Sequence, residues 1–265
     1  GDMYVELSSK TTLATGSGAA DDCNWVAERA IKTAELSIGG QRIDKHYQRW
    51  WRMYSELYLD ESKKANWGKL TSGKGQVFLP LIFFFNRNPG LYLPLIALQY
   101  HEVRLDFDLT DQFSTHLDNS TFKVYANYIY LDTEERRRFA QKGHEYLIEQ
   151  VQHTGTDTLS AGSNQKRLSF NHPVKELVWC LSPANKTDNN MWNFTTKSGT
   201  AANDPQLGSS LVDAAAGVQV AHDLGNCPRI VAAASTVAWD DDSCSNMTDM
   251  KLVLNGQDRF KEQGS

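Results

Sequence analysis

Apolar and polar residues alternate along much of the chain with a period of two. Val103, Leu105, Phe107 and Leu109 are interleaved with Arg104, Asp106 and Asp108, the pattern of a strand with one face in a core and one in water. Residues 123–131 are rich in β-branched and aromatic side chains and predict a second strand. Residues 177–181, 229–239 and 250–254 predict three more. Turn residues punctuate the intervals: Asn88-Pro89-Gly90, Asp118-Asn119-Ser120 and Asn255-Gly256. Strands alternating with long amphipathic helices, the signature of a parallel α/β sheet, are absent from the pattern. It predicts a mainly antiparallel, all-β protein.

Two segments carry helical spacing. Tyr47, Trp50, Trp51, Tyr54 and Leu57 form one stripe within residues 45–57, which predicts an amphipathic helix anchored by its aromatic face. Residues 132–140 open with the capping candidates Asp132 and Thr133. Glu134 and Glu135 fall in the first turn, with Arg136, Arg137 and Arg138 after them, an order that suits the helix dipole. This helix precedes His144–Gln150 and reads as a connector between two β units.

Two polar tracts break the pattern. Residues 152–165 are rich in Gly, Ser and Thr, and residues 182–225 in Asn, Thr, Asp, Gly and Ala. Loops of that length in compact domains are functional or cover surface. Between strands of a sandwich they grow without disturbing the core.

Composition narrows the function. The 265 residues hold 27 Lys and Arg against 32 Asp and Glu, a formal net charge of -5. Domains that coat polyanions carry a large basic excess, so direct nucleic-acid binding is not expected. Hydrophobic residues at 40% and charged residues at 22% argue against a mostly disordered chain. The most apolar run, Val77–Phe85, falls well short of the ~20 residues of a membrane span and contains Pro80. Residues 1–6 signal no secretory leader. Cys23, Cys180, Cys227 and Cys244 lack CxxC or zinc-finger spacing. They read as reduced, mostly buried thiols, with a structural disulfide as the alternative.

Catalytic chemistry is weakly signalled. His101-Glu102 and His144-Glu145 lack the second histidine of a zinc protease helix. On a strand, His101 and Glu102 would point to opposite faces. Neither Gly16-Ser17-Gly18 nor Gly208-Ser209-Ser210 sits between a strand and a helix as a nucleophile elbow does. Gly39-Gly40 reads as a turn, because no Gly-Lys-Ser/Thr follows it. Asp106 and Asp108 share a strand face and read as solvated, with a cation or glycosidase pair as the alternative. Asp240, Asp241 and Asp242 read as a solvated turn, with cation binding as the alternative. Arg136, Arg137 and Arg138 diverge around a helix, which suits packing and salt bridges better than phosphate binding. No catalytic residue, cofactor or metal site is expected. Sequons at Asn119, Asn185, Asn193 and Asn246 are candidate glycosylation sites. Without a leader they read as chance matches in an Asn- and Thr-rich chain.

Several longer segments are recognisable. Glu35–Tyr47 (ELSIGGQRIDKHY) and Phe83–Val103 (FFFNRNPGLYLPLIALQYHEV) resemble the first-jelly-roll signatures of major capsid proteins of nucleocytoplasmic large DNA viruses. Tyr128–Ala140 (YIYLDTEERRRFA) and His144–Gln150 (HEYLIEQ) are similar to the end of that roll and its exit. Phe170–Trp179 (FNHPVKELVW) and Leu252–Phe260 (LVLNGQDRF) resemble segments of the second roll. The resemblance covers nearly the whole chain apart from the variable loops and is closest to the algal-virus and iridovirus-like branch.

That resemblance implies a double jelly roll: two antiparallel β-sandwiches with short connecting helices, apparently truncated at both ends. The first roll is expected over 1–145, without its opening strands, and the second over 146–265, without its closing ones, so the chain reads as an internal fragment of a longer product. The family's role implies a homotrimer forming a pseudo-hexagonal capsomer. Its implied partners are neighbouring capsomers and minor capsid proteins, in a virion assembled in the host cytoplasm, with an inner membrane close by. Within this frame Asn88, Pro89 and Gly90 are expected to form a structural turn that reverses the chain, with Gly90 at positive φ. Tyr47, Trp50, Trp51 and Tyr54 are expected to hold a helical flap on the first sandwich. Sugar on such a capsid would be carried by the 182–225 tract. Two rivals share the strand pattern: a carbohydrate-binding, lectin-like jelly roll used for attachment, and a β-sandwich hydrolase built on Asp106 and Asp108.

Overall fold

The computed structural model describes residues 1–10, 25–111, 113–160, 162–180, 222–224, 227–229, 249–259 and 263–264. In chain order these form β1 (Met3–Ser9), α1 (Val26–Ala30), β2 (Ile31–Ile38), β3 (Gln41–Tyr47), α2 (Gln48–Tyr58), α3 (Glu61–Thr71) and β4 (Gly75–Pro80). There follow α4 (Phe84–Arg87), a 3-10 turn at Pro89–Leu91, β5 (Val103–Leu109), α5 (Phe113–His116), β6 (Leu117–Ala126) and α6 (Thr133–Gln141). Short strands come last: β7 (His222–Leu224), β8 (Cys227–Arg229), β9 (Asp249–Met250), β10 (Val253–Leu254), β11 (Gln257–Asp258) and β12 (Gln263–Gly264). The chain is therefore sheet-rich with short helices.

Contacts group residues 1–10 and 25–153 into one compact unit and 154–180 with most of the later residues into another. The first unit holds two three-stranded antiparallel sheets, ordered β4-β1-β6 and β3-β2-β5. In the first sheet Val5 lies between Leu79 and Val124, and Leu7 between Val77 and Phe122. These rows face the core, and Val5, Leu7, Val77 and Leu79 are fully buried. Each such side chain contributes roughly 1.5–3 kcal/mol by leaving water. In the second sheet Ala34 lies between His46 and Phe107, and Leu36 between Asp44 and Leu105. The core face of that sheet thus runs from an apolar edge on β5 to a polar edge on β3.

The two sheets share one core with Trp51, Trp67 and Phe83. Phe107 of β5 meets Phe122 of β6 edge to face, their centroids 5.4 Å apart. The edge strands of the two sheets therefore lie side by side. Leu109, Phe122 and Val124 on these edges are left partly exposed.

A two-residue hairpin turn joins β2 to β3. Gly39 and Gly40 take φ of 59° and 80°, which glycine adopts without steric cost. A Cβ on Gly39 would also lie 2.8 Å from His101 Nδ1. The Gly39 N–H donates to the Glu102 carbonyl at 2.9 Å, so the β5 approach closes over the turn.

Several expected boundaries move. The strand predicted at 123–131 is Leu117–Ala126. It ends where its partner does, at the Met3–Ala126 pair, and it runs through Asp118-Asn119-Ser120, which had read as a turn. The predicted helix at 45–57 begins at Gln48, because Lys45, His46 and Tyr47 pair with Glu35, Ala34 and Thr33 of β2. Leu57 on its stripe is 58% exposed. Residues 177–180 form no strand, and 250–254 split into β9 and β10. Of the strand expected at 229–239, residues 230–239 lie outside the described residues.

Other expectations match the structure. Val103–Leu109 is β5. Asp132 caps α6 by accepting the Glu135 N–H at 2.8 Å. Asn255-Gly256 turns the β10–β11 hairpin with φ of 52° and 79°.

Candidate assembly surface

The three short helices α1, α2 and α3 close one part of the first unit around a buried charge. Trp51 on α2 is fully buried, while Trp50 and Tyr54 pack partly buried against the core. Tyr54 stacks on Tyr58 at 5.2 Å and contacts Trp67 of α3 at 6.4 Å. Tyr47 belongs to β3 instead of the helix and meets His153 at 4.7 Å. Beneath α2, Glu28 of α1 is fully buried. It accepts the Trp67 indole N–H at 2.5 Å and faces Arg52 at 3.6 Å. Arg52 also reaches Glu56 at 3.2 Å and lies 4.4 Å above the Trp25 ring. Loss of hydration pushes the Glu28 carboxyl above its ordinary value, outweighing Arg52 and the Trp67 hydrogen bond, with Glu56 adding to the rise. This cluster welds the flap to the sandwich. Neither Glu28 nor Arg52 stood out in the sequence, since each looks like an ordinary surface charge of a short helix.

The Asn88-Pro89-Gly90 triplet forms a 3-10 turn between α4 and the approach to β5. Asn88 Oδ1 accepts the Gly90 N–H at 2.9 Å. Gly90 does not have a positive φ, and a Cβ there would sit in ordinary contact, 3.4 Å from Asn88 Oδ1. The turn therefore depends on the Asn88 cap and the ring of Pro89, not on glycine freedom, which corrects the expectation for Gly90.

The outward face of β3-β2-β5 holds a shallow polar depression of about 290 Å³ lined by Glu35, Ser37, Arg42, Glu102, Arg104 and Asp106. Arg104 Nη2 lies 2.7 Å from Asp106 Oδ1, and Asp108 accepts the Thr33 hydroxyl at 2.6 Å. The two carboxylates are thus engaged in separate local contacts. The depression has no aromatic wall on which a sugar ring could stack. Among the described residues no His, Cys, Asp and Glu group has metal-binding geometry.

The remaining candidates have structural surroundings. His101 sits against the β2–β3 turn. His144 Nε2 donates to the Phe139 carbonyl at 2.8 Å. No residue of α6 is buried, and Arg137 pairs with Glu134 at 3.3 Å. Cys180 is a free, half-buried thiol. Asn119 lies on β6. Asn185, Asn193, Asn246, Asp240–Asp242, Cys23 and Cys244 lie outside the described residues.

Aromatic residues leave the sandwich on an exposed path. After β6, Tyr128, Ile129 and Tyr130 are 66%, 66% and 90% exposed, and Tyr100 is 88% exposed. Residues 144–153 then return as a strap along β3. The Tyr146 hydroxyl donates to the Tyr92 carbonyl at 3.1 Å, Glu149 pairs with Arg87 at 3.2 Å, and the Val151 N–H donates to Asp44 Oδ1 at 3.0 Å.

Comparison with known proteins fits that geometry. Residues 1–132 match the family described as major capsid protein N-terminus, and residues 135–265 match large eukaryotic DNA virus major capsid protein. The chain belongs to the major capsid proteins of large eukaryotic DNA viruses. It is 38% identical to the major capsid protein of Paramecium bursaria Chlorella virus 1 over 98% of its own length and 60% of the relative's. It is 40% identical to that of Pyramimonas orientalis virus, over 68% of this chain and 49% of the relative. The fold superposes on the solved capsid protein of PBCV-1 with a TM-score of 0.70 and 36% identity, covering 99% of this chain and 63% of the other. The chain thus spans about 60% of the PBCV-1 protein and about half of the Pyramimonas virus protein.

Proposed function

We propose that this chain is the part of a double-jelly-roll capsid protein that builds homotrimeric, pseudo-hexagonal capsomers of an icosahedral large DNA virus. The observation that carries the reading is the correspondence of 99% of the chain with the PBCV-1 capsid protein at a TM-score of 0.70. Residues 1–145 form most of the first roll, the strap 146–153 returns along it, and the rest of 146–265 belongs to the second roll. The adjoining edges of β5 and β6, with Leu109, Phe122 and Val124 half-covered, are where further strands complete the first sandwich.

Such a protein works by shape. Three-fold closure joins unlike sides of neighbouring copies, so the sides must be rigid and complementary, while no nucleophile or cofactor is needed. Asn88, Pro89 and Gly90 serve as a turn in the scaffold. The 182–225 tract, with Asn185 and Asn193, and the sequons at Asn119 and Asn246 are the proposed sugar-bearing positions. Neighbouring capsomers and minor capsid proteins are the partners, and assembly takes place in the host cytoplasm near an inner membrane. The native mass of the full-length gene product tests this. A stable trimer supports the reading, and a monomer at micromolar concentration refutes it.

A further inference from the structure

Asp44 and His46 occupy core positions of β3, where the strand pattern would call for apolar residues. Their exposures are 3% and 0%. His46 Nε2 lies 2.9 Å from Asp44 Oδ2, an ion-pair distance without the alignment of a hydrogen bond. The imidazole stacks on Phe83 at 4.5 Å with the planes 16° apart, which fixes its orientation. Asp44 keeps its other oxygen for two backbone donors. Oδ1 accepts the N–H of Lys45 at 2.8 Å and that of Val151 at 3.0 Å.

The second of those donors comes from the strap, 107 residues further along the chain. Leu147 there is 87% exposed, and residues 147–150 are all exposed, so apolar burial does little to hold this segment. Besides the ring contact of His153 with Tyr47, its attachments include four polar ones: Tyr146 to the Tyr92 carbonyl, Glu149 to Arg87, Gln150 to the Ile43 carbonyl, and Val151 to Asp44. The first three involve groups at or near the surface, where water competes for the same hydrogen bonds. The contact to Asp44 reaches a buried carboxylate, where it is a charge-assisted bond in a low-dielectric setting.

We propose that Asp44 is a latch. Its carboxylate, oriented by His46, seats the strap 146–153 against β3, and the strap can leave that seat while the two sheets stay closed. Segments with few buried apolar contacts open at lower free energy than the core they rest on. The latch therefore sets where the chain departs from the first unit and gives that departure two states, seated and released.

Limited proteolysis of the whole chain with a glutamate-specific protease, which cuts after Glu145 and Glu149 at the strap, tests this, comparing the wild type with Asp44→Ala and Val151→Pro. The first variant removes the acceptor. The second removes the N–H donor and leaves Asp44 and His46 untouched, so it stays informative if the first fails to fold. Cleavage at those two sites should be about tenfold faster or more in both variants, the loss expected of one hydrogen bond to a charged group. Cleavage after Glu35, within β2, should keep its wild-type rate in Val151→Pro. Unchanged strap cleavage in Val151→Pro, or faster cleavage after Glu35 in step with the strap, would overturn the latch.

Discussion

The indole N–H of Trp67 donates to Glu28 Oε1 at 2.5 Å and ties α3 to α1 across a carboxylate with no solvent exposure. Glu28 Oε2 has no hydrogen-bond partner among the described residues. The ionised form is therefore costly to bury, and Arg52 compensates for only part of that cost. A group whose folded pKa lies above its unfolded value stabilises most below the unfolded value, here 4.5, and loses that contribution as pH rises through the folded value. Stability should thus decline above pH 4.5 from this group. Glu28→Gln, neutral at every pH and still able to accept the Trp67 N–H, should flatten the decline. Urea midpoints measured across pH would decide it, and parallel profiles for the two proteins would remove Glu28 as the cause.

Gly39 is constrained twice, by a φ of 59° and by His101 Nδ1 at 2.8 Å from the site of a Cβ. Gly40, at φ 80°, has open space around it. Gly39→Ala should cost roughly 1–3 kcal/mol and Gly40→Ala less, because only the first adds a clash to the backbone strain. Removing the imidazole in the double variant Gly39→Ala/His101→Ala should recover part of the loss. Chemical denaturation of the four proteins measures it, and equal losses at the two glycines would refute the role given to His101.

Trp51 and Leu57 share the stripe read from the sequence but not the same surroundings. Trp51 is fully buried and Leu57 is 58% exposed. Trp51→Ala should destabilise by about 3–5 kcal/mol, whereas Leu57→Ala should stay within about 0.5 kcal/mol of wild type. The thermal midpoints should separate widely. Similar midpoints would mean that α2 is not packed on the core through Trp51.

The 3-10 turn makes an opposite pair. Asn88→Ala removes the oxygen that holds the Gly90 N–H and should cost about 1 kcal/mol, as loss of a helix cap does. Gly90→Ala, at a φ open to L-residues and with its Cβ in ordinary contact, should cost less. A larger loss at Gly90 would restore glycine as the element that fixes the turn.

The sequence made the regular parts legible. Val103–Leu109 alternates because one face of β5 packs on the core, and Asp132 marks the start of α6 because a free N–H at a helix start requires an acceptor. The limits of β6 were hidden, since Ala126 ends the strand by facing Met3, a partner far away in the chain. Helix α3 was missed for a different reason. Lys63, Lys64, Asn66 and Gly68 give it little apolar periodicity, and it is held by Trp67 and its Asp60 cap. Asp44 and His46 invert the rule for β3, taking core positions while Ile43 and Tyr47 are only half-buried. Capsid membership was readable from whole motifs, whereas the strap's seat depends on pairing between distant residues that no local pattern records.

The placing of β1 between β4 and β6 bears on synthesis. Leu7 emerges from the ribosome 70 residues before Val77 and 115 before Phe122, its two neighbours in the sheet. At roughly 5–20 residues per second, β1 spends several seconds with neither flank satisfied. In the β2–β3 hairpin, by contrast, β2 finds its mate once Gln41–Tyr47 has followed the Gly39-Gly40 turn. A strand so placed stays unpaired on these two flanks until β4 has been made, and slowing translation between residues 10 and 75 should lengthen that interval.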